Sequence, residues 1–197
     1  MAELILGPML RFVDESAATV FVETDAPCRV AILGRETRTF TVGGHHYALV
    51  IIDGLMPGST NQYDVQLDGT RRWPMPGSRF PESVIRALGG AEHPTRVLFG
   101  SCRSAAPHEP PWSLSATQDR RGLGVDSLRA HGLRMLGQDA SSWPDLLLMI
   151  GDQVYADEPS PRAKEKVKRR RRLGRSRLDR TTPEIVIGFD EYVSMYH

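Results

Sequence analysis

Three side chains in this sequence carry donor chemistry: the thiol of Cys102, the carboxylate of Asp152 and the phenol of Tyr155. All three are anionic donors once a metal displaces their protons. A thiolate beside hard oxygen anions suits a high-valent iron better than zinc, whose protein ligands are cysteine, histidine and carboxylate. A carboxylate shared by two ions would hold them about 3.5–4 Å apart, the separation of two-metal phosphoryl-transfer sites. Each residue also has a plainer reading. A cysteine that closes a strand is commonly packing, Tyr155 could belong to a loop, and Asp152 could cap a helix.

The elements that must position these groups are legible around them. Residues 145–158 read D-L-L-L-M-I-G-D-Q-V-Y-A-D-E, and the apolar run 146–150 predicts a strand buried on both faces. Gly151 and Asp152 follow it directly, with Asp157 and Glu158 beyond Tyr155. A second strand is expected at 95–99, closed by Gly100, Ser101, Cys102 and Arg103. Between the two, Val125, Leu128, Leu133 and Leu136 recur at roughly helical spacing and predict a helix over 124–138. Strand, helix, strand makes a parallel βαβ unit with both carboxyl ends on one edge, where open α/β folds bind ligands. That topology brings Cys102 and Asp152 to one rim. Residues 104–122, with Pro107, Pro110 and Pro111, form a long irregular loop of the kind that is often functional. Arg103 is placed to face either a substrate phosphate or solvent.

These segments carry a resemblance. F-G-S-C-R at 99–103 and G-D-Q-V-Y-A-D at 151–157 resemble the first two motifs of the alkaline phosphatase D (PhoD-like) family of calcineurin-like metallophosphoesterases. The order of parts is also similar, with a small β-sandwich before the two motifs, and residues 189–197 resemble the helix that precedes the family's third motif. The resemblance implies a phosphoric ester hydrolase of the phosphomonoesterase or phosphodiesterase type. Cys102 and Tyr155 would be ligands to Fe3+, and Asp152 would bridge it to Ca2+ or another divalent ion. It implies a phosphate ester substrate, whose identity no residue here specifies, and assigns no confident catalytic residue. The family continues to an Asp-His or Asn-His motif and later histidines, whereas the only histidine after Tyr155 here is His197. The resemblance thus covers the sandwich and the opening part of a catalytic domain, and the chain alone is expected to be inactive or nearly so.

The N-terminal part reads as a different architecture. Strands are expected at 18–24, 28–33, 38–42, 47–52 and 62–67, separated by turn signals at Pro27, Gly34, Gly43-Gly44, Pro57-Gly58 and Asp68-Gly69. This spacing, with no helical pattern between strands, predicts an antiparallel β-sandwich. The stretch from Asp53 through Leu55 and Pro57 to Tyr63 looks like the corner of fibronectin type III sandwiches. The expected organisation is a sandwich over 1–80, a linker over 81–94 with a short helix near 82–88, and an incomplete metallophosphatase portion over 95–197. Adjacent His45 and His46 on a strand point to opposite faces and cannot readily share one metal. Cys28 reads as a small buried hydrophobe.

Composition bounds the rest. Of 197 residues, 40% are apolar and 25% charged, ordinary values for a globular protein. The longest apolar runs, 48–52 and 146–150, are far too short to span a bilayer, so no membrane partner is expected. The N-terminus has neither a basic leader nor twin arginines, and two cysteines make no disulfide framework, so a cytoplasmic location is expected. The net charge of +1 hides a basic block. Residues 162–180 hold 11 Lys and Arg against Glu165 and Asp179, while the remainder has 14 basic and 22 acidic residues, a net of −8. That block is expected to be a solvated loop insertion. The competing reading is a non-catalytic binding module that contacts nucleic acid or acidic partners through 162–180. It lacks interleaved aromatics for base stacking. A third possibility is a sandwich whose strand edges recruit a partner.

Overall fold

A computed structural model of the chain describes all residues except 79, 93, 104–106, 158, 160, 174–187 and 197, together with the side chains of 161 and 162. Sequence expectations for Glu158, for residues 174–187 and for His197 lie outside the described residues. The chain divides into two compact units, Met1–Arg96 and Val97–His197. Among the described residues it is sheet-rich, with few helices, and the strand pairing is antiparallel except in one pair.

The described residues of the first unit form ten strands. They are β1 (Leu4–Val13), β2 (Ala17–Thr24), β3 (Arg29–Ile32), β4 (Arg35–Arg38), β5 (Phe40–Val42), β6 (His45–Asp53), β7 (Thr60–Gln62), β8 (Val65–Leu67), β9 (Thr70–Trp73) and β10 (Val84–Arg86). They form two four-stranded sheets, ordered β1-β2-β6-β5 and β4-β3-β8-β9, and a small β10-β7 pair. Both larger sheets contribute to one core, an arrangement consistent with a β-sandwich. Successive strand residues point to opposite faces, so alternate positions fill that core. On β2 these are Ala18, Val20 and Val22, set opposite Ile52, Val50 and Ala48 of β6. Val30 and Ile32 of β3 meet them with Val65 and Leu67 of β8, all fully or almost fully buried. Each valine, isoleucine or leucine among them contributes about 1.5–3 kcal/mol of burial free energy.

The hairpins explain the register. Leu33-Gly34, Gly43-Gly44 and Asp68-Gly69 each join antiparallel neighbours through two residues with positive φ. This is the turn whose twist matches that of paired strands. The Pro57-Gly58 turn also forms, with Ser59 N–H donating to the Met56 carbonyl at 3.0 Å and Gly58 at φ +72°. Tyr63 is buried beyond it, and Leu55 packs against the core.

Tertiary pairing overrides several local readings. The expected single strand 38–42 is split at Thr39 between the two sheets, with β4 in one and β5 in the other. There Thr39 Oγ1 accepts from Cys28 N–H at 3.0 Å while Thr39 N–H donates to the Cys28 carbonyl. The expected strand 62–67 is likewise β7 followed by β8. The helix expected at 82–88 is the strand β10, because Val84, Ile85 and Arg86 find a partner edge in Gln62, Asn61 and Thr60. Ile85 is then fully buried, so segment 81–94 contributes to the core as well as connecting.

In the second unit, β11 (Val97–Gly100) and β12 (Leu146–Met149) pair in parallel, Val97 opposite Leu146 and Gly100 opposite Met149. Helix α1 (Ser127–Leu136) lies between them in sequence, completing the expected βαβ connection. The expectation that 146–150 is buried on both faces is not met. Leu147, Leu148 and Ile150 are exposed, as are Val97 and Phe99. The sheet has only these two strands among the described residues, and α1 buries no residue of its own. The basic block is also not a loop throughout: Pro161–Arg172 is helix α2, and Phe189–Val193 is the short helix α3.

Candidate metal centre

The carboxyl edge of the β11–β12 pair gathers the sequence-predicted donors. Ile150 N–H donates to the Gly100 carbonyl at 2.9 Å, and Arg103 N–H donates to the Asp152 carbonyl at 2.9 Å. These two bonds continue the parallel pairing past the strand ends and hold Cys102 beside Asp152. Gly151 is required at this crossing. A β-carbon there would lie 2.8 Å from the Cys102 backbone nitrogen and against the Ser101 hydroxyl. Cys102 itself has φ +52°, a left-handed conformation uncommon for a residue with a β-carbon.

Cys102 is exposed, and its sulfur lies 3.1 Å from the Ser101 hydroxyl. The Ser101 hydroxyl, then the Tyr155 hydroxyl and an Asp152 backbone hydrogen bond, hold the Cys102 thiol below its ordinary value, although the Asp152 charge opposes them. For Tyr155 the same contact acts in the other direction. Its hydrogen bond to Cys102, then partial burial and the charges of Cys102, Asp152 and Asp157, push its hydroxyl up to about 12. Of the two groups, Cys102 is therefore the one that loses its proton more readily. All three sequence-predicted donors meet on this rim.

Arg103 is not turned to a substrate. Its Nε and Nη2 bind the Asp126 carboxylate, the shortest contact being 2.6 Å, and Asp126 is almost fully buried. Asp126 is also the N-cap of α1, accepting from Leu128 and Arg129 N–H at 3.0 and 3.3 Å. Burial alone would raise the Asp126 carboxyl, but Arg103 and these backbone donors outweigh it and hold it below the usual range. One guanidinium thus ties the Cys102 loop to the start of α1. An arginine following a cysteine and an aspartate preceding a helical pattern are visible in the sequence, but nothing local indicates that they meet.

The histidine pair is engaged separately, as alternation along a strand requires. His45 Nδ1 lies 2.7 Å from buried Glu23, and His46 Nδ1 lies 2.8 Å from Thr41 Oγ1. Cys28 is buried within 3.8 Å of Thr24 Oγ1, and burial raises its thiol. Among the described residues, no group of three or more His, Cys, Asp or Glu is placed to hold a metal ion. The Cys102 cluster has two such residues and a tyrosine. No described helix is long and apolar enough to cross a membrane.

Residues 1–85 match the family described as Domain of unknown function (DUF7800), a match that lies within the first unit and ends before the Cys102 cluster. No curated protein matches the chain. No solved structure matches it either.

Proposed function

We propose that this chain carries the opening portion of a metal-dependent phosphoric ester hydrolase of the PhoD-like type, with Cys102, Tyr155 and Asp152 as metal donors. In this reading the N-terminal sheets are a fibronectin type III-like sandwich, and β11, α1 and β12 begin a calcineurin-like α/β domain. One observation carries the proposal: Arg103 N–H donates to the Asp152 carbonyl at 2.9 Å at the carboxyl edge of the parallel strand pair, which holds Cys102 beside Asp152, with Tyr155 three residues further on. A cation can take the place of the proton between sulfur and phenol, and it would offset the crowding of three acidic groups. The donor set fits one side of a coordination shell, with a thiolate and a phenolate suited to ferric iron and a carboxylate to either iron or a hard divalent ion.

Bound there, a metal supplies Lewis-acid polarisation of a phosphoryl group. The chain's own contributions are positional. Gly151 lets the two loops touch, the Arg103–Asp126 pair fixes the Cys102 loop, and Ser101 directs a hydroxyl at the sulfur. Three protein donors hold a metal more weakly than a closed shell does, so hydrolysis by this chain alone is expected to be slow or absent.

Titration with ferric iron tests the reading. A visible tyrosinate-to-iron absorption is expected, lost in Tyr155→Phe and weakened in Cys102→Ser and Asp152→Asn. No absorption with the unaltered chain would sink the metal assignment. Rapid cleavage of a chromogenic phosphodiester that disappears in Asp152→Asn would support the reaction class and overturn the expectation of weak activity.

A further inference from the structure

Helix α2 separates its cations into two groups. Ala163, Val167 and Arg171 are buried on one side. Arg171 makes a two-point contact with Glu191 of α3, Nε to Oε1 and Nη2 to Oε2 at 2.8 Å each, while Arg170 Nη1 donates to the Asp190 carbonyl at 3.1 Å. These residues recur at i, i+4 and i+7 or i+8, so they lie on one helical face. Lys166, Lys168, Arg169 and Arg172 are exposed around the other side, with Glu165 the one exposed acid on the helix. Lys166, Arg169 and Arg172 are exposed and lie away from the face that meets Asp190 and Glu191.

We propose that this outward face of α2 is a docking surface for the phosphate backbone of a duplex nucleic acid. Charge complementarity carries the choice. The helix dipole favours cations in the last turn, but that accounts for their position without neutralising them. No aromatic residue lies on α2 to stack an unpaired base. Among the described residues Leu173 is the one exposed apolar residue at its end, too little to insert into a lipid surface. Lys166 to Arg172 spans about 9 Å of helix axis, enough to face about three phosphates of one strand.

The inference is independent of the metal reading, and the test is run with a chelator present to keep it so. Anisotropy of a labelled duplex titrated with the full chain is expected to show micromolar or weaker binding that declines with salt. The slope of log K against log salt should be about −3 and lose about 0.9 per cation removed in Lys166→Gln, Arg169→Gln and Arg172→Gln. All three positions are exposed, so the combined variant should keep the parent's circular dichroism and melting transition. Absence of duplex binding overturns the proposal, as does a salt slope unchanged in the triple variant. Tighter binding to polyglutamate, to anionic vesicles or to single strands than to duplex overturns it as well.

Discussion

The two units of this chain are built on opposite principles. In Met1–Arg96, alternate residues of β2, β3, β6 and β8 enter one apolar core, and most of the buried positions are aliphatic, with Glu23 and Thr24 the buried polar residues among those described. Among the described residues of Val97–His197, the buried hydrophobic ones are Ala163, Val167 and Val193, while Asp126, Arg171, Glu191 and Ser194 are buried with polar partners. The apolar strand pair β11–β12, which sequence patterning marks as the centre of an α/β fold, exposes much of its surface. The first unit is therefore specified by hydrophobic alternation and the second, among the described residues, by a few directed polar contacts. Burial is cooperative and tolerant of detail; buried ion pairs depend on geometry and are costly to break.

Breaking the polar side of this comparison should have the largest effect. Arg171→Met removes both hydrogen bonds to a Glu191 carboxylate that is 1% exposed and is expected to cost about 3–5 kcal/mol. Urea unfolding monitored in the second unit measures this, and a loss below about 1 kcal/mol would show that the pair is dispensable. Arg171→Met combined with Glu191→Leu should recover much of the loss, because an apolar pair carries no charge to desolvate.

The apolar side is tested by a matched pair of truncations. Ile52→Ala, in the first unit's core, should cost about 2–5 kcal/mol. Leu147→Ala, on exposed β12, should change stability by no more than about 0.5 kcal/mol. Similar losses at both positions would mean that β12 is covered in solution.

At the strand edge, the expected effects are smaller and local. Gly151→Ala drives a methyl group against the Cys102 backbone nitrogen and the Ser101 hydroxyl, and should cost about 1–3 kcal/mol. Thermal unfolding would register it, together with altered alkylation of Cys102. An unchanged melting temperature and labelling rate would show that the two loops separate freely.

The smallest effect is on titration. Hydroxyl donors favour the Cys102 thiolate, so its alkylation rate should reach half-maximum below the ordinary thiol range, whereas the buried Cys28 should react more slowly and at higher pH. Ser101→Ala removes the larger donor and should shift the Cys102 midpoint upward, with Tyr155→Phe shifting it less. Iodoacetamide labelling across pH, read at each cysteine by mass spectrometry, distinguishes the two thiols. A midpoint unmoved by either variant refutes the hydrogen-bond assignment.

Alternation in the first unit and the glycine-bearing turns were enough to locate β2, β3, β6 and β8 and the turns of three hairpins from sequence, whereas β1 and β9 were not marked. Equally legible was the strand–helix–strand order that brings Cys102 beside Asp152 at one edge. Both follow from local periodicity, which residues near in sequence express by themselves. Local pattern could not reveal that β10 is a strand, since Val84–Arg86 becomes one by finding the edge of β7. Nor could it show that Arg103 pairs with Asp126, or that Arg171 differs from its arginine neighbours by meeting Glu191. Four consecutive arginines are chemically identical until a partner element buries one of them. Sequence periodicity thus determined which faces exist and which groups converge at the βαβ edge. Tertiary structure alone decided which charges are structural, because burial and ion pairing depend on contacts between residues distant in the chain.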